Sequence, residues 1–464
     1  MTRNSVREMT FGRRVIYASG ELGVALTPAM VVGWLMYFYL GRTDGDGGKT
    51  VLVPYLAFAA INMLGRIIDG FADPLIGFFS DRTRSRHGRR RPWILIGAPF
   101  LSLFGIMLWY PPDSAASWLN IIWLAIGLGG FWVSFTVVVA PYISLLPEIS
   151  RDDRERVELS IYMSAADIIG MLMATVGIGL LIKAAAGGLR LGPLAFGDGY
   201  KLAAWLLAIV SLLSFWLVVL GTREKPDSKA KRVPFDFFEA FSRCWSNPSF
   251  SPYLISIAFF RMSIDLLLAM IPFLVTIVMG YGEHVAGYLQ GGIILLAVPL
   301  VAALYPLAER LTKRRVFLVS QFVMGAVLFM LVTVRDLPFF GWLVNAAVGG
   351  MLSDSEVMMA HVVVLFLPAL LPIAVLFAIP RPMMADVIDM DTRLTGYRRE
   401  AMYVGLESFV TKLAAGLAGV FGPAMLAIFG DTTASPWGIL LIGPLCGFFL
   451  LASGFVFRYY PINK

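Results

Sequence analysis

Two carboxylates and a proline lie close together in an apolar stretch. Asp69 and Asp73 are four residues apart, and Pro74 follows directly. In a helix this spacing puts both carboxyl groups on one face, about 6 Å apart at Cβ. Two carboxylates that close cannot both stay ionised in a low dielectric, so either one binds a proton or a cation lies between them. Pro74 also leaves the carbonyl of Gly70 without its helical amide partner, and this oxygen is then available for coordination. The sequence therefore predicts a cation site.

Two basic residues are candidate partners of these acids. Arg66 lies three residues before Asp69, and the alternative to a cation site is a structural salt-bridged cluster that includes it. Lys412 lies in the apolar stretch FVTKLAAGLAG, where a charge must turn inward and find an acid. We expect that acid to belong to the Asp69/Asp73 pair. The alternative is a lysine that extends to the membrane interface.

Other ionisable and aromatic side chains in apolar stretches are candidates for binding a solute. Single acids there are expected to act as ligands, proton-relay members or contacts between helices, and aromatic rings stack on a sugar ring or an acyl chain. The alternatives are self-neutralisation for the pair Arg261 and Asp265, and simple packing for the aromatic residues. The substrate-binding candidates are Tyr17, Glu21, Arg66, Trp132, Tyr142, Asp167, Arg261, Asp265, Tyr403 and Glu407.

Acids next to bases also recur at the ends of apolar stretches. We interpret them as salt bridges that hold one conformation closed. They occur at corresponding places in the two halves of the chain, as expected from a duplicated six-helix unit. These predicted gating residues are Asp81, Arg82, Glu148, Arg154, Glu309, Arg310, Asp386 and Asp389.

The elements that carry these residues are predicted to be transmembrane helices. The chain has 464 residues, 58% of them hydrophobic, and a mean hydropathy of +0.76. Its apolar stretches reach the roughly 20 residues that cross a bilayer. We predict an all-α membrane protein with twelve spans in two pseudo-symmetric six-helix bundles, at 1–221 and 253–464, joined by a cytoplasmic linker at 222–252 with a short amphipathic helix. The spans, numbered 1 to 12 below, are 15–40, 51–80, 93–112, 118–147, 159–183, 200–221, 253–280, 284–308, 316–334, 358–388, 401–429 and 436–459.

The distribution of basic residues predicts the orientation. The net charge is +7 and the pI about 9.3. If the N-terminus is cytoplasmic, the inside segments hold 28 Lys and Arg residues and the outside loops hold 4. This asymmetry is typical of an integral protein of the bacterial inner membrane with both termini in the cytoplasm. It also argues against nucleic-acid binding as the reason for the basic pI.

Signals for catalysis are weak by comparison. The two cysteines and three histidines form no cluster with metal-ligand spacing, and no nucleophile and base are grouped together. We expect no enzymatic activity, no cofactor other than a coupling ion, no cleaved signal peptide and a monomer. A non-transporting sensor with the same architecture is the remaining alternative.

One long motif resembles a known family. The stretch GRIIDGFADPLIGFFSDRTRSRHGRRRPWIL is similar to the second helix and following loop of the glycoside–pentoside–hexuronide:cation symporters, the melibiose-permease-like family of the major facilitator superfamily. The stretches APYISLLPEIS, RDDRERV, MMADVIDMD and ESFVTK extend the similarity. The resemblance implies alternating access and a sugar co-transported with Na⁺, Li⁺ or H⁺. It also implies that Asp69 and Asp73 bind the cation, that the Thr136 hydroxyl assists them and that Lys412 lies near the site.

The departures from that family concern the ion and the solute. Where melibiose permeases have an amide residue that supplies an oxygen to Na⁺, this chain has Ala72, which favours H⁺ and leaves Na⁺ open. The positions of three galactoside contacts hold Ala25, Val139 and Ser164. The sequence therefore predicts a secondary active, cation-coupled symporter of a sugar- or glycoside-like solute. The alternative is an amphiphilic or lysolipid-like substrate, because the related lysolipid-transporting branch also lacks the sugar contacts.

Overall fold

The fold is built almost entirely from long apolar helices. The computed structural model describes residues 10–43, 49–83, 85–86, 88–149, 153–185, 189–191, 194–196, 198–222, 244–396 and 400–462. The elements of the first half are α1 (Phe11–Ala18), α2 (Gly20–Leu40), β1 (Arg42–Thr43), β2 (Lys49–Thr50), α3 (Tyr55–Arg82), α4 (Arg91–Met107), α5 (Trp118–Ile149), α6 (Asp153–Leu172), a π-helical turn (Met173–Gly177), α7 (Ile178–Ala185), β3 (Leu189–Leu191), β4 (Leu194–Phe196) and α8 (Gly199–Gly221).

The second half continues in the same way. Its elements are α9 (Phe250–Phe273), a π-helical turn (Leu274–Val278), α10 (Glu283–Leu311), α11 (Lys313–Met330), a 3₁₀ turn (Leu331–Thr333), α12 (Phe339–Ala347), α13 (Asp354–Phe366), α14 (Leu370–Ala378), α15 (Pro380–Thr395), α16 (Glu400–Phe429), α17 (Trp437–Leu440) and α18 (Ile442–Phe457).

The helices account for the twelve predicted spans, ten of them as long apolar helical segments. Within the described residues, ten helices are long and apolar enough to cross a membrane. Span 3 is the shorter α4, with 17 residues. Span 10 is divided into α13, α14 and α15. Its interruptions coincide with Pro368, in the first break, and Pro380, the first residue of α15, because proline lacks the amide that continues a helix.

Three small elements were not predicted. The loop between spans 9 and 10, which is predicted to lie outside, contains α12. This helix packs so closely on α13 that a Cβ at Gly341 would lie 2.0 Å from the carbonyl oxygen of Val357. With nine residues α12 is too short to cross a bilayer, so the criterion of span length missed it. The other two are the antiparallel hairpins β1–β2 and β3–β4, of two and three residues per strand.

Two compact units make up the chain. The first comprises Met1–Val31, Phe71–Pro111 and Trp123–Lys231. In it, Tyr17 of α1 and Tyr142 of α5 each donate a hydrogen bond to the other's backbone carbonyl, both at 3.0 Å. These reciprocal bonds fix α1 against α5.

The second unit comprises Val32–Gly70, Pro112–Ile122 and Arg232–Lys464. Serines join α9 to α18 here, where Ser256 Oγ and Ser453 Oγ lie 2.6 Å apart. The bundle boundaries expected at 221 and 253 stay a prediction. Residues 223–243, which include most of the expected amphipathic helix, lie outside the described residues.

Candidate functional site

Helix α3 separates a charged face from an apolar one. Arg66 and Asp69 are buried, and Asp69 exposes only 1% of its surface. Apolar side chains three or four residues apart form another face of the same helix. They are about half exposed, as expected for contact with lipid. The acid therefore points into the protein and not toward the bilayer. The exposed apolar residues are Leu64, Ile68, Phe71 and Leu75.

Lys412 of α16 forms an ion pair with Asp69. Its Nζ lies 2.8 Å from Asp69 Oδ1 and 3.3 Å from the Asp69 carbonyl oxygen. Glycines let α16 approach α3, since a Cβ at Gly416 would lie 2.8 Å from Met63 Sδ. The pair is almost dry, with 1% of the Asp69 side chain and 17% of the Lys412 side chain exposed. In this structure Lys412 therefore lies beside one of its expected partners, and it does not extend away from the acid.

Arg66 is the more distant partner of the same acid. Its Nη1 lies 3.8 Å from Asp69 Oδ2, too far for a hydrogen bond. On α9, Arg261 Nε donates to Asp265 Oδ2 at 3.0 Å, and the pair interacts electrostatically with Arg66. The second unit thus gathers three bases and two acids, which leaves the cluster one positive charge in excess when all five are ionised.

Asp73 has a hydroxyl partner in the first unit. Thr136 Oγ1 of α5 donates to Asp73 Oδ1 at 3.3 Å, and Thr136 is buried. Asp73 itself is partly buried. The helix α3 passes from the second unit to the first between Gly70 and Phe71, so each carboxylate has its contact within its own unit.

The predicted aromatic candidates are packed into the core. Tyr17 and Tyr142 are fully buried and bonded to each other, and Trp132 lies edge-on to Phe131 with ring centroids 4.9 Å apart. Tyr403 accepts a hydrogen bond from Asn247 Nδ2 at 3.0 Å. These contacts are typical of packing, and a substrate role for the four rings stays a prediction.

The remaining acidic candidates differ in their partners. Glu407 of α16 lies 2.6 Å from the hydroxyl of Tyr253, a residue that the sequence reasoning missed. Glu21, in the first turn of α2, and Asp167 of α6 are partly buried. Their predicted roles as ligands or relay members stay predictions.

The side chains of four of the eight predicted gating residues are described in the structure, and those of the other four are not. Asp386 of α15 pairs with Lys313, the first residue of α11, at 2.5 Å. Arg82 lies over the ring of Phe78 at 3.6 Å, and both Arg310 and Asp389 are exposed. The side chains of the other four lie outside the described part of the structure: Asp81, Glu148, Arg154 and Glu309.

A second charged cluster was not predicted. Lys49 of β2 pairs with Asp431, which follows α16, and the Tyr55 hydroxyl donates to Asp431 Oδ2 at 2.7 Å. Asp431 is buried. Both charges lie in predicted outside loops, and 382 residues separate them. Lys49 is one of the four basic residues counted in the predicted outside loops, and nothing in the sequence pointed to its partner.

The family model and one of the two relatives below match nearly the whole chain. Residues 16–464 match the model of a family described as MFS/sugar transport protein. The sodium-dependent lysophosphatidylcholine symporter 1 of Gallus gallus is 23% identical over 100% of this chain and 88% of its own length. The isoprimeverose transporter of Lactiplantibacillus pentosus is 27% identical, over 51% of this chain and 47% of its own, so that alignment spans about half of each protein.

The structural comparison supports the same architecture. The nucleoside transporter NupG superposes with a TM-score of 0.65 over 97% of this chain and 99% of that one. The two sequences are 10% identical, so this likeness concerns the fold alone. The predicted all-α membrane fold of major facilitator type is confirmed.

Proposed function

Because the chain belongs to the MFS/sugar transport family, we propose that it is a secondary active symporter that couples H⁺ or Na⁺ to a sugar- or glycoside-like solute by alternating access. The observation that carries this proposal is the buried ion pair of Asp69 with Lys412 inside an apolar span. An intramembrane charge pair is costly, and such residues in transport proteins generally serve ions or substrates.

The ion changes the partners of Lys412. A proton or Na⁺ that binds at Asp69 and Asp73 neutralises a carboxylate and weakens the 2.8 Å contact that holds Lys412. The lysine then needs another partner, and a buried charge that changes partner biases a protein with two packings toward one of them. The Thr136 hydroxyl donates a hydrogen bond to Asp73 Oδ1, the second acid of the proposed site. Ala72 supplies no side-chain oxygen, which favours H⁺ as the coupling ion.

A specific observation favours a second substrate class. The lysophosphatidylcholine symporter of Gallus gallus aligns over the whole chain, whereas the isoprimeverose transporter aligns over about half of it. The three positions expected to contact a galactoside hold Ala25, Val139 and Ser164. We therefore keep an amphiphilic, lysolipid-like solute as the alternative substrate.

We also propose where the protein lies and in what form it works. The excess of Lys and Arg in alternate loops supports an inner (plasma) membrane protein of a bacterium with both termini in the cytoplasm. The unit that transports is proposed to be the monomer, without cofactor or enzymatic activity.

The test begins by finding the solute. Purified protein is screened by thermal shift against sugars, glycosides, uronates and lysolipids, with and without Na⁺, at two pH values. The solute with the largest shift is then used in proteoliposomes. Asp69→Asn is expected to abolish uphill accumulation driven by an ion gradient.

A matched variant controls for the substitution itself. Asp336→Asn changes an exposed acid in the turn after α11 and is expected to leave accumulation unchanged. Normal uphill transport by Asp69→Asn would contradict the coupling assignment. Wild-type protein that binds a solute but gives no flux would favour a sensor.

A further inference from the structure

Glu407 of α16 lies in a contact that joins three helices of the second unit. Its Oε1 lies 2.6 Å from the hydroxyl oxygen of Tyr253 on α9. The same hydroxyl oxygen lies 3.1 Å from the carbonyl oxygen of Pro380, at the start of α15. Tyr253 is fully buried and Glu407 partly so.

The number of protons decides how these three oxygens can lie together. A tyrosine hydroxyl has one proton, and a carbonyl oxygen or an ionised carboxylate has none. If Glu407 is ionised, Tyr253 donates to only one of its neighbours, and the other faces it lone pair to lone pair. If Glu407 carries a proton, it donates to Tyr253 and Tyr253 donates to Pro380. Only the protonated form satisfies both contacts.

The surrounding charges point the same way. Three buried acids of this unit have a cation in contact: Asp69 pairs with Lys412, Asp265 with Arg261, and Asp431 with Lys49. Among the described residues, no Lys or Arg nitrogen lies within 4.0 Å of the Glu407 carboxyl group. The groups that face it are the Tyr253 hydroxyl and, at longer range, Arg381 of α15, while the Tyr460 hydroxyl lies near Tyr253. A carboxylate that is shielded from water without a cation in contact is unfavourable, and a bound proton removes that cost.

We propose that Glu407, with Tyr253 as its hydrogen-bond acceptor, is a proton-binding site distinct from the Asp69/Asp73 pair. The protonated Glu407 carboxyl group donates a hydrogen bond to the Tyr253 hydroxyl oxygen, and the Tyr253 hydroxyl donates to the Pro380 carbonyl oxygen. Loss of the proton leaves Tyr253 to donate to the carboxylate, and the hydrogen bond from α9 to α15 is lost. Proton release at Glu407 therefore loosens a contact between spans 7 and 10.

Infrared spectroscopy of the reconstituted full-length protein tests this assignment, because a protonated carboxyl group has a C=O stretching band separate from the carboxylate bands. At neutral pH, Glu407→Gln is expected to remove the band of one carboxyl group from the wild-type spectrum. Tyr253→Phe keeps the carboxyl group but removes its acceptor, so the band is expected to remain and move to higher frequency. Exchange into D₂O identifies the band as a carboxyl band by its downward shift.

Two control variants separate this site from other acids. Glu356→Gln removes an exposed carboxylate at the start of α13 and is expected to leave the band unchanged. Asp69→Asn tests the coupling pair, so its result is independent of the result at Glu407. Identical carboxyl bands in wild type and a folded Glu407→Gln would overturn the proposal. If Glu407→Gln does not fold, the Tyr253→Phe spectrum decides: a shifted band supports the site, and an unshifted band overturns it.

Discussion

Lys412 Nζ lies 2.8 Å from Asp69 Oδ1, between two helices that are separated by more than 300 residues of sequence. Both side chains lie within apolar spans, and the acid is almost completely buried. Neither charge is stable there without the other, so the pair is expected to contribute to the stability of the folded protein.

The first prediction concerns that stability. Lys412→Ala leaves Asp69 buried without its nearest cation and is expected to destabilise the protein by about 3 kcal/mol. Adding Asp69→Asn removes the uncompensated charge, so the double variant is expected to be more stable than Lys412→Ala alone. Thermal unfolding in one detergent at one pH measures the difference.

The control for this pair is Arg335→Ala, which removes an exposed cation in the turn after α11. Its melting temperature is expected to match that of the wild type within error. Strictly additive effects of Lys412→Ala and Asp69→Asn would contradict a direct charge pair, because residues in contact couple.

The second prediction concerns the Thr136 hydroxyl. Thr136→Val keeps the shape of the side chain but removes the donor that lies 3.3 Å from Asp73 Oδ1. A hydroxyl donor favours the ionised form of a carboxylate, and a hydrogen bond to a charged group contributes roughly 1.5 kcal/mol. With H⁺ as the coupling ion, loss of this donor is therefore expected to raise the apparent affinity for the ion about tenfold. The ion dependence of solute uptake in proteoliposomes measures this affinity. Thr136→Ser keeps a hydroxyl and is expected to stay close to wild type; an equal change in both variants would assign the effect to packing.

The third prediction concerns the cluster in the predicted outside loops. Lys49→Ala leaves the buried Asp431 with the Tyr55 hydroxyl as its remaining partner among the contacts described above, and this is expected to lower the melting temperature. The exchanged pair Lys49→Asp with Asp431→Lys restores opposite charges and is expected to recover part of the loss. Tyr55→Phe removes one hydrogen bond and is expected to cost about 1 kcal/mol. No recovery in the exchanged pair, with each single variant destabilised, would show that the ion pair is not what holds the two loops.

The contrast between this cluster and the Asp69 pair shows what the sequence can and cannot predict. A lysine in the middle of an apolar span must find an acid, so its partner could be expected from the short list of acids in other spans. Asp431 and Lys49 lie in polar loops, where water satisfies a charge and no partner is required. Their burial depends on how the loops fold together across 382 residues, which no local pattern encodes.

The transmembrane spans also show which features a local sequence pattern predicts and which it misses. Apolar runs long enough to cross a bilayer predicted all ten helices that, within the described residues, have the length and composition of a membrane span, because this length requirement is local. The division of span 10 depends on where its prolines interrupt the backbone, and hydropathy alone does not report those breaks. The short α12 was missed because it crosses nothing and is held by its contact with α13.

The fourth prediction is a pH dependence at the start of α13. Ser353 caps this helix: its backbone amide and its hydroxyl both donate to Glu356 Oε2, and they lower the pKa of that carboxyl group from its ordinary value. A depressed folded pKa means that the stabilising contribution is present above the ordinary pKa and is lost as the pH falls through the folded pKa. Glu356→Gln is therefore expected to speed amide hydrogen exchange in residues 353–360 at neutral pH, relative to wild type at the same pH.

The same comparison below the folded pKa is expected to show a smaller difference between wild type and Glu356→Gln. Comparing the two proteins at each pH cancels the intrinsic pH dependence of exchange. A difference that stays constant from neutral to acidic pH would contradict a role for the ionised carboxylate in the cap.

The last prediction concerns the close approach of α16 to α3, which places Lys412 beside Asp69. A Cβ at Gly419 would lie 2.4 Å from Asn62 Oδ1, closer than real contacts allow. Gly419→Ala is therefore expected to push the helices apart, to destabilise the protein by roughly 1–3 kcal/mol and to reduce coupled transport. Gly405→Ala is the matched control, since it lies on the same helix with nothing within 4 Å of its Cβ position. Because alanine favours helices over glycine, Gly405→Ala is expected to be neutral or stabilising. Equal melting temperatures and transport rates for the two variants would mean that the helix spacing does not position the Lys412–Asp69 pair.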